Sequence, residues 1–273
     1  MTAEPDARAF KALTDKISRA RGVSCESYKE KCLRRRIAVR MRARGVHTFD
    51  DYSTLLDQDA REYDQLLDAL TINVTKFYRN AETWDALIKG YLPDLWRARN
   101  GALRVWSAGC ASGEEPYTLA VVLAETARLA GSPEGVEHCR VDATDVDRAS
   151  LERTRAAEFP EPSFTEMPAA LVRRYFSPEA PRRPIDALRR IVHVQRHDLT
   201  RERPPAAAYD LIVCRNVLIY FDRTTQERLF GTFSAALAPH ALLVLGKVET
   251  LFGTARERLV LEDPRERIYR RPA

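Results

Sequence analysis

One stretch of this 273-residue chain restricts the fold more than any other. The apolar segment Leu103 to Trp106 breaks into the small-residue turn Ser107-Ala108-Gly109-Cys110-Ala111-Ser112-Gly113, and Glu114-Glu115-Pro116-Tyr117 then opens a helix. That helix, about 114–130, repeats Leu119, Val122, Leu123 and Leu129 on a helical period and stops at Gly131. Two glycines let the backbone turn tightly and come close to a ligand, which a Cβ at either position would hinder. Strand, glycine turn and helix in this order predict an α/β sheet with a ligand site at the turn. Standing alone, the stretch is better read as a plain buried strand-turn-helix with two acids at a helix N-terminus.

The ligand class follows from what the turn lacks. A dinucleotide fingerprint needs G-x-G-x-x-G, but Gly109 and Gly113 stand as G-x-x-x-G with no third glycine. A phosphate-cradling loop ends in Gly-Lys-Ser/Thr, whereas Gly113 is followed by two carboxylates that would repel a pyrophosphate. Acids there suit a ligand carrying a sulfonium and an ammonium beside an adenosine. That describes S-adenosylmethionine. The next apolar segment, about 139–144, ends at Asp145, where this topology places an acid for two ribose hydroxyls.

The rest of the chain divides at that region. Helices are expected at about 6–21, 25–44, 48–57, 60–71 and 81–98, with no strand before Leu103. From there strand and helix alternate, the mark of a doubly wound parallel sheet. Strands are expected at 103–106, 139–144, from 191 to about 199, at 209–214 and 241–245, with 259–262 and 267–270 as a closing antiparallel pair. Helices are expected at about 147–158 and 224–237. The fold class is therefore α/β: an all-α N-terminal domain with a basic helix at 1–80, a linker helix at 81–101, and a doubly wound, Rossmann-like domain at 102–273. A small Pro-rich insertion at about 160–190, with a helix near 169–176, reads as a surface elaboration.

Charge narrows the partners. The chain carries +5 overall, yet Lys16 to Arg44 holds eleven basic residues against Glu26 and Glu30. In the second helix Leu33, Ile37 and Met41 form a core stripe, and Arg36, Arg40 and Arg44 share a second stripe. A solvated face accounts for most such arginines, but six in eleven positions point to a polyanionic partner, either nucleic acid or an acidic protein surface. No apolar run approaches the roughly 18 residues of a membrane helix. Five scattered cysteines without C-x-x-C read as reduced thiols of a cytoplasmic protein, and the five histidines offer no metal spacing.

Four stretches together carry a resemblance: Asn73-Val-Thr75-Lys-Phe-Tyr-Arg79, Trp106 to Tyr117, Ala143-Thr-Asp145-Val-Asp147, and Cys214-Arg-Asn216-Val217-Leu-Ile-Tyr220-Phe-Asp222. In this order they resemble the chemotaxis receptor methyltransferase family, CheR. The resemblance implies an all-α domain followed by an S-adenosylmethionine-dependent methyltransferase domain, and methyl esterification of glutamates on the cytoplasmic helices of chemoreceptors. Carried over by motif, the cofactor contacts are Asn73, Thr75, Arg79, Glu115, Asp145, Asp198 with Leu199, and Asn216 with Val217, beside the glycine turn at Gly109. Asp198 stands where the family often has Asn. Tyr220 matches the tyrosine that the family places beside the methyl group, and Arg36 and Arg42 match arginines of the receptor-facing helix. Arg79 and Tyr220 are thus the catalytic candidates. Some members grip a tethering peptide through a glycine-containing loop after Arg-Tyr-Phe; here Arg174-Tyr175-Phe176 is followed by Ser177 to Pro184 without a glycine. No tether binding is expected, nor nucleic acid, membrane insertion or metal, and the protein is expected to be a monomer.

The implied reaction is a single in-line displacement, giving S-adenosylhomocysteine. A glutamate with an ordinary pKa of about 4.3 is already an anion at neutral pH and needs no general base. Alignment and removal of water from the acceptor are the work left to the protein. Desolvation favours protonation, so a cation is needed nearby, and Arg79 serves that purpose or orients the cofactor. Two other readings share the fold. A nucleic-acid methyltransferase would carry Asp/Asn-Pro-Pro-Tyr/Phe after the fourth strand, where this chain has Arg215-Asn216-Val217-Leu218. A non-catalytic adaptor would not require Glu115, Asp145, Arg79 and Tyr220 together.

Overall fold

The computed structural model describes residues 3–21, 23–70 and 75–273. The chain forms two compact units, the first made of residues 1–73 and 220–225, the second of 74–219 and 226–273.

The first unit is all-α. Helices α1 (Ala3–Arg21), α2 (Glu30–Ala43), α3 (Phe49–Gln58) and α4 (Ala60–Leu70) enclose Leu13, Ile17, Leu33, Ile37, Tyr52, Leu56 and Leu66. The stripe Leu33, Ile37, Met41 is the buried face of α2. That helix starts at Glu30 rather than near residue 25. Cys25–Ser27 make only a 3₁₀ turn, and Tyr28 is extended because it pairs antiparallel with Phe221, a residue of this same unit. The Thr48 side chain caps α3 by accepting from the Asp51 N–H at 3.1 Å.

The second unit begins with α5 (Ala81–Ala86) and α6 (Leu92–Ala98), joined by a π-helical turn at Leu87–Tyr91 instead of the single helix expected from sequence. Pro93 in the first turn of α6 lacks the N–H that a continuous α-helix would use. Trp84, Leu87, Leu92, Leu95 and Trp96 are buried in the core of this unit. The segment read as a linker helix thus packs into the core of the second unit.

The remaining elements are β1 (Arg104–Ala108), α7 (Glu114–Leu129), β2 (Arg140–Asp145), α8 (Arg148–Ala156), α9 (Ala169–Tyr175), α10 (Asp186–Ile191), β3 (Val192–Arg196), β4 (Tyr209–Cys214), α11 (Arg223–Ala236), β5 (Leu237–Leu245), β6 (Val260–Asp263) and β7 (Ile268–Arg270). They build a seven-stranded sheet in the order 3-2-1-4-5-7-6. Strands β1 to β5 run parallel, and β7 is antiparallel to both β5 and β6. Strand β5 starts four residues earlier than its apolar run. Tyr209 pairs with Leu237, after which the register jumps to Leu211 with Leu242, an irregularity that accommodates Pro239. The insertion is less superficial than the sequence suggests. Its Phe159, Phe164 and Phe176 surround Phe77 with ring centroids 4.8, 4.6 and 5.0 Å away. Between α9 and α10 the described residues hold no strand, only isolated bridges, Arg182 with Phe159 ahead of α9 and Phe176 with Pro184.

Candidate functional site

Strand order reverses between β1 and β4, and the loops leaving the carboxyl ends of the parallel strands there stand where open α/β sheets bind their ligands. The loop after β1 is set by three positive φ angles in five residues: Gly109 at 87°, Ala111 at 48° and Gly113 at 107°. Gly109 also abuts the loop after β4. A Cβ on it would lie 2.5 Å from Val217 Cγ2, so only glycine fits between these two predicted site residues. The N–H groups of Gly109 and Cys110 both donate to the Thr144 carbonyl, at 2.8 and 2.9 Å, which fastens this loop to the end of β2.

Asp145 ends β2 and completes that attachment. Its Oδ2 accepts from the Ala111 N–H at 2.9 Å and its Oδ1 from the Asp147 N–H at 3.0 Å, while the side chain stays partly exposed. Burial pushes its pKa above the ordinary value, and those N–H groups only partly offset it. The two consecutive acids of α7 separate. Glu114 is buried and accepts the Ser112 and Ser163 hydroxyls, at 2.7 and 3.1 Å. Glu115 is partly exposed and accepts the Ser107 hydroxyl at 2.8 Å. Desolvation pushes the Glu115 carboxyl up to about 7; the Arg215 guanidinium and the Ser107 hydroxyl oppose the rise, and Glu249 adds to it.

The loops after β4 and β5 are held by Glu249, a buried acid with no role in the sequence reading. Its Oε2 accepts from the N–H groups of Gly246 (2.7 Å) and Asn216 (3.0 Å), and its Oε1 from Ile219 (3.3 Å). This fixes Asn216 at a φ of 60°. Arg215, beside it, is buried, lies over Trp84 at 5.1 Å and donates through Nη2 to Asn80 Oδ1 at 2.8 Å, while its Nε has no hydrogen-bond partner among the described residues. Asn80 in turn belongs to the strained segment around Arg79, with Tyr78 and Asn80 at φ of 58° and 59°. The Tyr78 N–H donates to Thr118 Oγ1, and the Arg79 carbonyl accepts Trp84 Nε1–H, each at 3.1 Å. The Arg79 side chain is partly exposed, and both Glu115 and Arg215 feel its charge.

The structure therefore brings Gly109, Glu115, Asp145, Asn216, Val217 and the Arg79 segment to one end of the sheet. Asp198 and Leu199 join them after β3, where the His197 N–H reaches the Asp145 carbonyl at 2.9 Å. The Asp198 carboxylate is largely engaged within its own turn, with Oδ1 accepting from Thr200 N–H and Oγ1–H at 2.8 and 2.6 Å. Thr75 is partly exposed at the start of the second unit's described residues, and Asn73 lies outside the described residues. Glu249 could have been found by the reasoning that found Asp145, since Gly246 and an acid three residues on directly follow an apolar strand. Arg215 stood inside a quoted motif, but nothing in its spacing signals a buried guanidinium.

In the first unit the basic helix is mostly turned toward its own domain. Arg40 grips the fully buried Glu62 with two hydrogen bonds of 2.9 and 2.8 Å, and Arg44 reaches Glu62 and Asp59 at 2.9 Å each. Arg34 pairs with Glu30 and Asp6 and lies 4.1 Å over Phe10. Arg36 is 7% exposed; its Nη1 donates to the Ala69 and Leu70 carbonyls at the end of α4, and its guanidinium lies 4.7 Å over the Tyr220 ring. Arg36 and Arg40 thus face inward, and Arg44, although exposed, is tied to Asp59 and Glu62. Arg35 and Arg42 remain exposed.

Chemically, this end of the sheet offers Glu115 and Asp145, two partly exposed carboxylates whose pKa values burial raises and which form no ion pair among the described residues. A group that completes it should bring positive charge and hydroxyls, which S-adenosylmethionine does. Residues 73–265 match the family described as CheR methyltransferase, SAM binding domain, and residues 8–71 match the CheR methyltransferase all-alpha domain. Relatives named chemotaxis protein methyltransferase include one from Listeria innocua, 33% identical with 88% of each chain covered. Another, from Klebsiella aerogenes, is 31% identical over 91% of this chain and 85% of its own. A 104.1 kDa uncharacterized protein of Rhodobacter capsulatus is 32% identical over 90% of this chain but only 26% of its own length.

Proposed function

The chain belongs to the CheR methyltransferase family, and from that premise we propose that it methylates glutamate side chains on the cytoplasmic helices of chemoreceptors, yielding glutamate methyl esters and S-adenosylhomocysteine. The observation that carries this reading is Glu115: a carboxylate raised to about 7, hydrogen-bonded to Ser107 and without an ion-pair partner among the described residues. It is ready for the ammonium of a cationic ligand. S-adenosylmethionine supplies an activated methyl on a sulfonium. Glu115, Asp145, Asn216 with Val217, Asp198 with Leu199, Thr75, Arg79 and, from the segment before it, Asn73 hold that ligand. Asp145 accepts the ribose hydroxyls with the lone pairs that its bonds to the Ala111 and Asp147 N–H groups leave free.

The acceptor carboxylate needs no base, so the protein's own contribution is orientation and exclusion of water. Arg79 keeps the acceptor ionised as water leaves, and Tyr220 orients it. Recognition of the receptor falls to exposed α2 residues, Arg42 above all. Because Arg36, Arg40 and Arg44 are engaged within their own unit, the free charge is a few points on one helix rather than a track along a phosphate backbone, which favours an acidic helical surface over nucleic acid. No helix among the described residues is long and apolar enough to cross a membrane, and we place the protein in the cytoplasm as a monomer. The strandless turn after Phe176 supports binding without a tethering peptide, so loss of such a peptide from the receptor should leave affinity unchanged.

The test mixes the protein with methyl-labelled S-adenosylmethionine and a chemoreceptor cytoplasmic fragment, then adds mild base. Label released as methanol is expected from a carboxyl methyl ester. Base-stable label, or label on added RNA instead, would overturn the reading.

A further inference from the structure

Among the arginines of α2, Arg36 differs from its neighbours in kind. Arg34, Arg40 and Arg44 end on carboxylates. Among the described residues Arg36 ends on none: its Nη1 donates to the last two carbonyls of α4, and its Nη2 is buried without a hydrogen-bond partner there. What the guanidinium does meet is the π-face of Tyr220 at 4.7 Å. A desolvated guanidinium over a tyrosine ring is attracted by its quadrupole and, being planar, restricts the ring's tilt. The backbone of Tyr220 is fixed by the same unit. Its carbonyl accepts from the Lys29 N–H at 2.9 Å, the Asp222 N–H donates to the Ser27 carbonyl at 3.0 Å, and the next ring, Phe221, meets Tyr28 edge-on at 4.9 Å.

We propose that Arg36 is a positioning residue for Tyr220, setting the ring's tilt with a guanidinium that the C-terminal carbonyls of α4 hold in place, and not a receptor-contacting residue as its place in the basic helix suggests. This rests on the reading of Tyr220 as a residue of the transfer step. At 7% exposure Arg36 presents almost no surface to a partner. The carbonyl clamp fixes its guanidinium in two directions, so the plane it offers to the ring is set by α2 and α4 together. A receptor contact would act on binding, whereas a ring held in the wrong tilt costs alignment, which is lost from turnover.

The test is a double-mutant cycle on the full chain with S-adenosylmethionine and a receptor fragment. Arg36→Gln should lower kcat by about tenfold while the KM for the receptor fragment and the cofactor affinity stay within about twofold. Arg36→Lys, which keeps a cation over the ring, should recover about half of that loss on a logarithmic scale. In a Tyr220→Ala background, where no ring remains to be held, Arg36→Gln should change kcat by less than about twofold. If Arg36→Gln unfolds the first unit, as a thermal melt would reveal, the Lys substitution alone is compared in both backgrounds. A rise in receptor KM at unchanged kcat would return Arg36 to the receptor interface and overturn the proposal. A full kcat loss persisting beside Tyr220→Ala would overturn it too, leaving the catalytic reading of Tyr220 intact. Wild-type turnover in Tyr220→Ala alone would instead sink that reading, and the positioning role with it.

Discussion

Glu62 in the first unit and Glu115 in the second are both acids placed by helices, and their surroundings are opposite. Glu62 is 0% exposed, yet its pKa is lowered: burial raises it, and the Arg40 and Tyr52 hydrogen bonds, with Arg44, bring it down further than burial lifts it. Glu115 has one hydroxyl and no paired cation among the described residues, and its carboxyl rises to about 7. The contrast separates two uses of a shielded charge. An acid whose partners are all protein groups holds a fold together. An acid left short of a cation is unfinished until a ligand brings one.

Breaking the finished side should give the largest effect. Glu62→Gln leaves Arg40 and Arg44 without their shared carboxylate and should destabilise the first unit by about 3–5 kcal/mol in urea unfolding. Cofactor affinity should hardly move. The mirror experiment, Glu115→Gln, should weaken S-adenosylmethionine binding by about 30- to 100-fold in calorimetric titration, as removal of a charged hydrogen-bonding partner does. The melting temperature of the ligand-free protein should stay level or rise.

A pH series sharpens the comparison further. With the Glu115 carboxyl at about 7, affinity for a cationic ligand should fall about tenfold per unit below pH 7 and level off above it. Stability should respond with the opposite sign at the two kinds of acid. A raised folded-state pKa, as at Glu115, means the native state holds its proton longer, so its contribution is present below the unfolded value of about 4.5 and is lost as pH rises to about 7. Glu125 belongs with Glu62: held at about 2 by Arg128, Tyr175 and Arg174 against burial, it stabilises above the unfolded value and loses that contribution as pH falls toward 2. Unfolding of the ligand-free protein between pH 4.5 and 7 should therefore be flatter in Glu115→Gln than in the wild type. The smallest effect belongs to the exposed Arg42. Arg42→Ala should raise the KM for a receptor fragment about three- to fivefold, and added salt should shrink the difference.

Particular residues show where sequence reasoning stopped. The β1 turn was legible because glycine reports backbone geometry directly, and Gly109 and Gly113 do sit at positive φ where the structure needs them. Asp145 was legible as the residue that ends β2 because the apolar run stops there, and the structure adds that its carboxylate fastens the glycine turn through the Ala111 N–H. The α2 arginines misled for a physical reason: helical spacing gives the face on which a side chain lies but not what lies opposite, and Glu62, which faces Arg40 and Arg44, sits on another helix. Glu249 carried the same signal as Asp145, an acid just past an apolar strand; what the sequence does not announce is that its partners are the backbone N–H groups of Gly246, Asn216 and Ile219. Insertion and core could not be told apart by composition, since Phe159, Phe164 and Phe176 are interspersed with prolines and charges.

The six residues 220–225 belong to the helical unit, although some 150 residues separate them from it along the chain. That unit is therefore not a portable module. A recombination that exchanged everything before residue 74 between two relatives would import one set of helices and leave the hexapeptide that completes them behind. Exchange should succeed only where the Tyr28–Phe221 pairing and the Arg36–Tyr220 stack are inherited together, so these two distant stretches should change in step over evolutionary time.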